Sequence, residues 1–181
     1  MTRLGVFVGS LRAGSLSRAA AAAAIDLMPE GVSAGLLPSI GALPHYDQDL
    51  FDAGLPASVA ELAAAAAEKD AFLVVTPEYN WSIPGVLKNA IDWLSRLSPN
   101  PLEGKPVSIW TVSPGLIGGA RAHESLRHVL HSQGMHIMAK PEVQIAGAKA
   151  KIDVAAGRVL HGDTETFLSE QLRRFGAFCA R

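Results

Sequence analysis

Ten residues near the N-terminus, Gly9-Ser10-Leu11-Arg12-Ala13-Gly14-Ser15-Leu16-Ser17-Arg18, concentrate side chains that bind anions. They follow a short apolar run, Leu4–Gly9, and lead into an alanine-rich stretch. The run reads as a buried strand and the stretch as a helix, so the turn lies at a helix start. Backbone N–H groups there lack partners, and the helix dipole is positive. The hydroxyls of Ser10, Ser15 and Ser17 add neutral donors, and Arg12 adds a guanidinium fork. Ordinary capping by Ser15 or Ser17 would use the same residue types. The clustering directly after a buried strand favours an anion site. A nucleoside triphosphate loop needs Gly-Lys-Ser/Thr, and this turn has no lysine. A dinucleotide fingerprint needs Gly-x-Gly-x-x-Gly, which Gly9 and Gly14 do not supply. A serine-lined turn suits a monophosphate ester.

Two further loops carry unusual residues. The first is Thr76-Pro77-Glu78-Tyr79-Asn80-Trp81-Ser82-Ile83-Pro84-Gly85, stiffened by proline and rich in aromatic and amide groups. It could form a wall for a flat heteroaromatic ring, or a structural turn whose Trp81 fills a surface cleft. The second is Ser113-Pro114-Gly115-Leu116-Ile117-Gly118-Gly119-Ala120-Arg121. Its glycines would let a backbone approach a ligand. Arg121 falls in the first turn of the next helix, where a cation opposes the dipole. That placement predicts a negative partner: the phosphate, or a neighbouring subunit.

Other candidates carry less. The histidines are scattered, and only His128 and His131 share a helix face. No Cys/His spacing suits zinc. Ser10 lies outside a Gly-x-Ser-x-Gly elbow, so a hydrolase nucleophile is missing. Asp47, Asp49 and Asp52 read as a solvated loop, and Cys179 as inert packing.

The elements that must position these loops alternate along the chain. Strands are expected at Leu4–Gly9, Val32–Leu37, Ala71–Thr76, Val107–Val112 and a last region shared by Met135–Met138 and Val143–Ala146. Helices are expected at Ser15–Met28, Pro56–Lys69, Pro84–Leu97, Ala120–Ser132 and Thr164–Ala180. Pro38–Pro56 reads as a long loop, and the stretch with Gly157 and Gly162 as a polar connection. This order specifies a parallel sheet with helices on both faces. Ligands of such sheets bind at the carboxyl ends of the strands, where all three loops emerge. The chain has 181 residues, 49% of them hydrophobic, and a formal net charge of −1. A single domain over residues 1–181 suits that length. Near-neutrality argues against a nucleic-acid partner, and no run is apolar enough for a membrane span. One cysteine excludes an internal disulfide and fits a reducing cytoplasm, where a soluble protein is expected.

Taken together, GSLRAGSLSR at 9–18, PEYNWSIPGVLKNAIDWLSR at 77–96 and SPGLIGGAR at 113–121 resemble the NADPH-dependent FMN reductase family. The segment LPHYDQDL at 43–50 is also similar, and the resemblance spans about Leu4 to Ile145. It implies an α/β, flavodoxin-like three-layer α/β/α sandwich with a five-stranded parallel sheet. It implies bound FMN, with Ser10, Arg12, Ser15, Leu16 and Ser17 around the phosphate. Pro77, Glu78, Tyr79, Asn80 and Trp81 would line the isoalloxazine, mostly through backbone groups. Ser113 would sit near the ring or ribityl chain, and Arg121 near the flavin or a subunit interface. Ser17 stands where relatives often carry Asn, and Trp81 is bulkier than expected.

The resemblance further implies NADH or NADPH as electron donor, delivering hydride to the flavin in a ping-pong reaction. Acceptors would be quinones, chromate, ferric chelates, azo dyes or free flavin. No side chain is required as acid or base, and no catalytic residue or metal ligand is expected. Backbone N–H groups at the Pro84 helix start would stabilise charge developing on the ring. A homodimer or homotetramer is implied, packed through Pro84–Leu97 and Arg121–Ser132. The competing class is a flavodoxin-like FMN electron carrier; such carriers are strongly acidic, which a net charge of −1 does not match. A third class is a non-catalytic phosphate-binding domain.

Overall fold

The computed structural model describes residues 1–160 and 162–180. Its centre is a parallel sheet formed by β1 (Thr2–Val8), β2 (Val32–Leu36), β3 (Ala71–Thr76) and β4 (Pro106–Val112). The fifth position is shared by β5 (His136–Ile137) and β6 (Val143–Ile145), which pair with the start and end of β4 respectively. Strand order is β2-β1-β3-β4-β5, so the direction of winding reverses between β1 and β3.

Alternation along the strands sends successive side chains to opposite faces. Leu4, Val6, Leu73, Val75, Trp110 and Val112 face α1 (Leu16–Asp26) and α6 (Gly162–Cys179). Phe7, Phe72, Val74, Val107 and Ile109 form the opposite core, which Leu62, Leu87 and Leu126 enter from three helices. These helices are α3 (Ala57–Ala67), α4 (Gly85–Ser95) and α5 (Ala120–Ser132). The result is the three-layer sandwich implied above. Alanine at 19, 20, 21, 23 and 24 is buried, so α1 lies close against the sheet. In α6, Leu168, Leu172 and Phe175 recur at helical spacing and are all buried. Burying each such side chain contributes about 1.5–3 kcal/mol.

One polar network crosses the apolar core. The Trp110 indole donates to Gln171 Oε1 at 3.0 Å, and Gln171 Nε2 donates to Ser108 Oγ at 2.8 Å. It fixes the register of α6 on β4.

Two segments differ from expectation. The 38–56 loop contains a 3₁₀ turn, Ile40–Ala42, and a short helix, α2 (Gln48–Ala53), capped by Asp47. It is pinned from α4: Asn89 Nδ2 and Trp93 Nε1 both donate to Pro44 O, at 2.9 and 2.8 Å. The polar connection after β6 forms an antiparallel hairpin, β7 (Ile152–Asp153) with β8 (Arg158–Val159). Ile152 and Val159 bury beside the alanines of α1. Two-residue strands are too short to show a period, so only tertiary packing reveals them.

Replacing Gln171 by Leu leaves the Trp110 N–H and the Ser108 hydroxyl unpaired in the core. The expected loss is about 2 kcal/mol or more, read from urea unfolding; an unchanged midpoint would show the network to be dispensable.

Candidate functional site

At the carboxyl edge of the sheet, the loops after β1, β3 and β4 enclose a cleft of about 420 Å³. Ser10, Arg12, Ser15, Leu16 and Ser17 form one wall. Pro77, Glu78 and Tyr79 form a second, and Val112, Ser113 and Pro114 a third. Lys149, from the turn after β6, completes the lining.

The serines are held differently. Ser15 is the N-cap of α1, and its Oγ accepts from the Arg18 N–H at 3.2 Å. Capping and cleft-lining therefore coincide in one residue, with its hydroxyl proton free for another acceptor. Ser10 and Ser17 are 4% and 1% exposed, yet neither hydroxyl bonds to protein among the described residues. Among the described residues the fully buried, unpaired side-chain polar atoms are Thr111 Oγ1 and Arg127 Nη1, so the Ser10 and Ser17 hydroxyls are not sealed in but open to the cleft their residues line. Arg12 does not reach across it: Nε and Nη2 donate to Gly14 O at 3.2 and 2.6 Å, closing the turn on itself.

The second wall is fastened from behind. Glu78 Oε2 accepts from the backbone N–H groups of Arg121 and Ala122, at 3.0 and 3.2 Å. Glu78 Oε1 lies 3.6 Å from Arg121 Nη1. A carboxylate thus occupies the positive end of α5, and Arg121 finds its negative partner within the same chain. Beyond Glu78 the backbone reverses: Tyr79 and Ser82 exchange hydrogen bonds of 2.9 and 3.0 Å around Asn80 and Trp81. Both central residues are left-handed, with φ of 49° and 66°, a two-residue turn that usually takes glycine second. Trp81 is 72% exposed and stacks under the Arg121 guanidinium, 4.7 Å from its ring centre. The Ser82 and Ser125 hydroxyls, 2.9 Å apart, tie the turn to α5.

Three of the expected site residues lie outside the lining of this cleft. Asn80 is exposed on the turn, outside the lining. Trp81 and Arg121 share a separate, open groove with Ser125 and His128. The glycines of the third loop serve the fold: a Cβ on Gly118 would lie 2.8 Å from the Gln144 backbone. A Cβ on Gly119 would meet Thr111 at 2.9 Å. Pro84 and Gly85, at the α4 start, do not line the cleft. Lys149 was not foreseen, because no spacing signals it; only the crossing of the chain after β6 brings it to this edge. No group of three or more His, Cys, Asp or Glu among the described residues could hold a metal ion. Burial pushes the Cys179 thiol up to about 11, so it is protonated at neutral pH.

The profile of the NADPH-dependent FMN reductase family matches residues 2–150. A quinone reductase of Escherichia coli K12 is 44% identical over 175 residues, 96% of this chain and 93% of its own. The chain belongs to this family. The solved flavoenzyme FerB, an NAD(P)H:(acceptor) oxidoreductase from Paracoccus denitrificans, superposes with a TM-score of 0.90 at 38% identity. That match covers 99% of this chain and 98% of FerB. A flavodoxin mutant from Pseudomonas aeruginosa shares the fold at a TM-score of 0.60 and 20% identity, covering 99% of both chains. The sandwich is therefore flavodoxin-like, and the protein is an oxidoreductase of the FMN reductase family.

The cleft fits an FMN phosphate on its own evidence: two hydroxyls without protein partners among the described residues open into it beside the start of α1, where only the Arg18 amide is capped by a side chain. Glu78 controls the opposite wall without offering its carboxylate to it. Glu78→Ala should destabilise the chain by about 1–2 kcal/mol, as loss of a helix cap does, and weaken FMN binding several-fold. Glu78→Gln, which keeps an acceptor but no charge, should fall between. Fluorescence titration and thermal melts check both; an FMN constant unmoved in Glu78→Ala would show that the wall holds without it.

Proposed function

We propose that this protein is a cytoplasmic, single-domain FMN-dependent NAD(P)H oxidoreductase that reduces quinones and other small acceptors. The observation that carries the reading is the pair Ser10 and Ser17, residues buried in the fold whose hydroxyls have no protein partner among the described residues and open into one cleft with Pro77–Tyr79. Bound FMN supplies the hydride and electron chemistry. The Ser10, Ser15 and Ser17 hydroxyls and the first amides of α1 would bind its phosphate. Arg12 keeps the turn closed through Gly14 O, presenting those donors in a fixed array. Pro77–Tyr79 and Ser113 would line the ring, on a wall that Glu78 locks to α5. Tyr79 is half exposed, so one side of the cleft stays open for donor and acceptor to enter in turn.

The quinone assignment is supported by the E. coli relative, and the use of NADH or NADPH by the family and by FerB. The single cysteine supports a reducing compartment. A homodimer or homotetramer is supported by apolar side chains left uncovered beside the cleft, with Trp81 72% and Leu116 96% exposed.

Purified protein should be yellow, lose its visible absorbance on anaerobic addition of NADH or NADPH, and regain it when a benzoquinone is added. A yellow protein that neither nucleotide bleaches would refute the enzyme reading. Ser10→Ala and Ser17→Ala should each weaken FMN binding roughly tenfold or more, since hydrogen bonds to charged groups contribute about 1.5–3 kcal/mol.

A further inference from the structure

Lys149 lies in a 3₁₀ turn, Ala148–Ala150, directly after the last sheet strand. The turn is fixed on both sides. The Gly147 N–H donates to Gly115 O at 3.1 Å, and the Ala148 N–H donates to Ser113 O at 3.0 Å. Ala148 is fully buried, in the cluster that includes Ala19 and Ala20 of α1. The following hairpin packs on the same helix. The backbone of Lys149 is thus anchored between the Ser113 loop and the start of α1. Its side chain lines the cleft with Ser10, Ser15 and Ser17.

The ammonium is uncommitted. Lys149 takes part in none of the ion pairs or side-chain hydrogen bonds among the described residues. The other cation of the cleft, Arg12, has turned its Nε and Nη2 donors to Gly14 O. Charge magnitudes decide what this arrangement lacks. A phosphate monoester carries about −1.5 to −2 at neutral pH. The α1 start supplies about +0.5, screened by solvent. Arg12 supplies a charge whose fork is directed elsewhere, and Glu78 has its carboxylate turned to α5. A mobile ammonium is a point charge with three donors, able to reach a phosphate oxygen without fork geometry.

We propose that Lys149 is the second cation of the phosphate subsite, holding the FMN phosphate against Ser10 and Ser17. This rests on the FMN reading given above. Lys149 acts on the phosphate and not on the ring, so it distinguishes FMN from riboflavin.

The test is titration of full-length, flavin-free protein with FMN and, separately, riboflavin, followed by flavin fluorescence. Lys149→Ala should weaken FMN binding about tenfold, equivalent to about 1.4 kcal/mol, and leave riboflavin affinity within twofold. Lys149→Arg should restore most of the FMN affinity. Raising salt should weaken FMN binding more steeply in the wild type than in Lys149→Ala. An unchanged FMN constant in Lys149→Ala, with wild type binding FMN, overturns the assignment of Lys149 alone. So does an equal loss for both ligands, or a raised KM for NADPH with FMN affinity intact, which would direct the charge to the ring or to the donor. Wild-type protein that binds no FMN overturns the flavin reading and this assignment together.

Discussion

The reversal of strand order between β1 and β3 is the constraint on which the site depends. β1 connects outward to β2 on one side, while β3, β4 and the last position build outward on the other. The chain leaving β1 and the chain leaving β3 must therefore turn toward opposite faces, onto α1 and α4. A crevice opens between them as a consequence of winding, before any side chain is chosen. The two strands stay in register to the edge, with Val8 beside Val75 and the Gly9 N–H bonded to Val75 O at 2.9 Å. Gly9 is fixed by the same contact: a Cβ there would lie 2.7 Å from Thr76 Cβ. The serine-rich turn can begin at the sheet edge only because nothing projects from that position.

A crevice alone would leave the β3 loop free to move, and its turn is under strain. Two consecutive non-glycine residues in left-handed geometry cost of order 1–3 kcal/mol each. Offsetting this are a carboxylate across two helix amides, a guanidinium over an exposed indole and a hydroxyl pair. The Glu78 contact is the strongest of these, because it joins charge, dipole and two hydrogen bonds at 14% side-chain exposure. The exposed Arg121–Trp81 contact is worth about 0.5–1 kcal/mol. Glu78 and Arg121, from two different loops, form one fastening that gives the second wall of the cleft its shape from outside.

Much of this was legible in the residues. Ala71–Thr76 is a continuous apolar run, and both faces of a covered parallel strand demand that, so its bounds read directly. The end expected for α5, at Ser132, is followed by Gly134, left-handed with φ of 69°, as a helix stop requires. The anion turn was legible because hydroxyls and a helix start coincide in ten consecutive residues. What was not legible depends on residues far apart in the chain. That Arg121 needed a negative partner followed from its position; that the partner is Glu78, 43 residues earlier, did not. The stretch leading into α2 reads as loop because what holds it, Asn89 and Trp93 on Pro44 and Tyr46, lies on α4, far along the chain. The β7–β8 hairpin and Lys149 have no local signature, since α1 supplies the surface that orders them.

The ionisable groups around the cleft bear on how selective the chemistry can be. Arg12, Glu78 and Lys149 are the charged residues of its lining. Glu78 is turned to α5, and Arg12 is tied to Gly14 O. The hydroxyls lie on the wall from the β1 loop, and the opposite wall presents backbone and the half-exposed ring of Tyr79. Such a wall can contact a flat molecule but has few directed donors with which to reject one lacking a particular group. Strong discrimination comes from buried polar groups that a wrong ligand leaves unpaired. On the proposed reading the cleft's hydroxyls are the groups that meet the cofactor's phosphate, which would concentrate selectivity on the cofactor. Donor and acceptor would then meet an open, weakly discriminating surface, which suits a reductase of several acceptors.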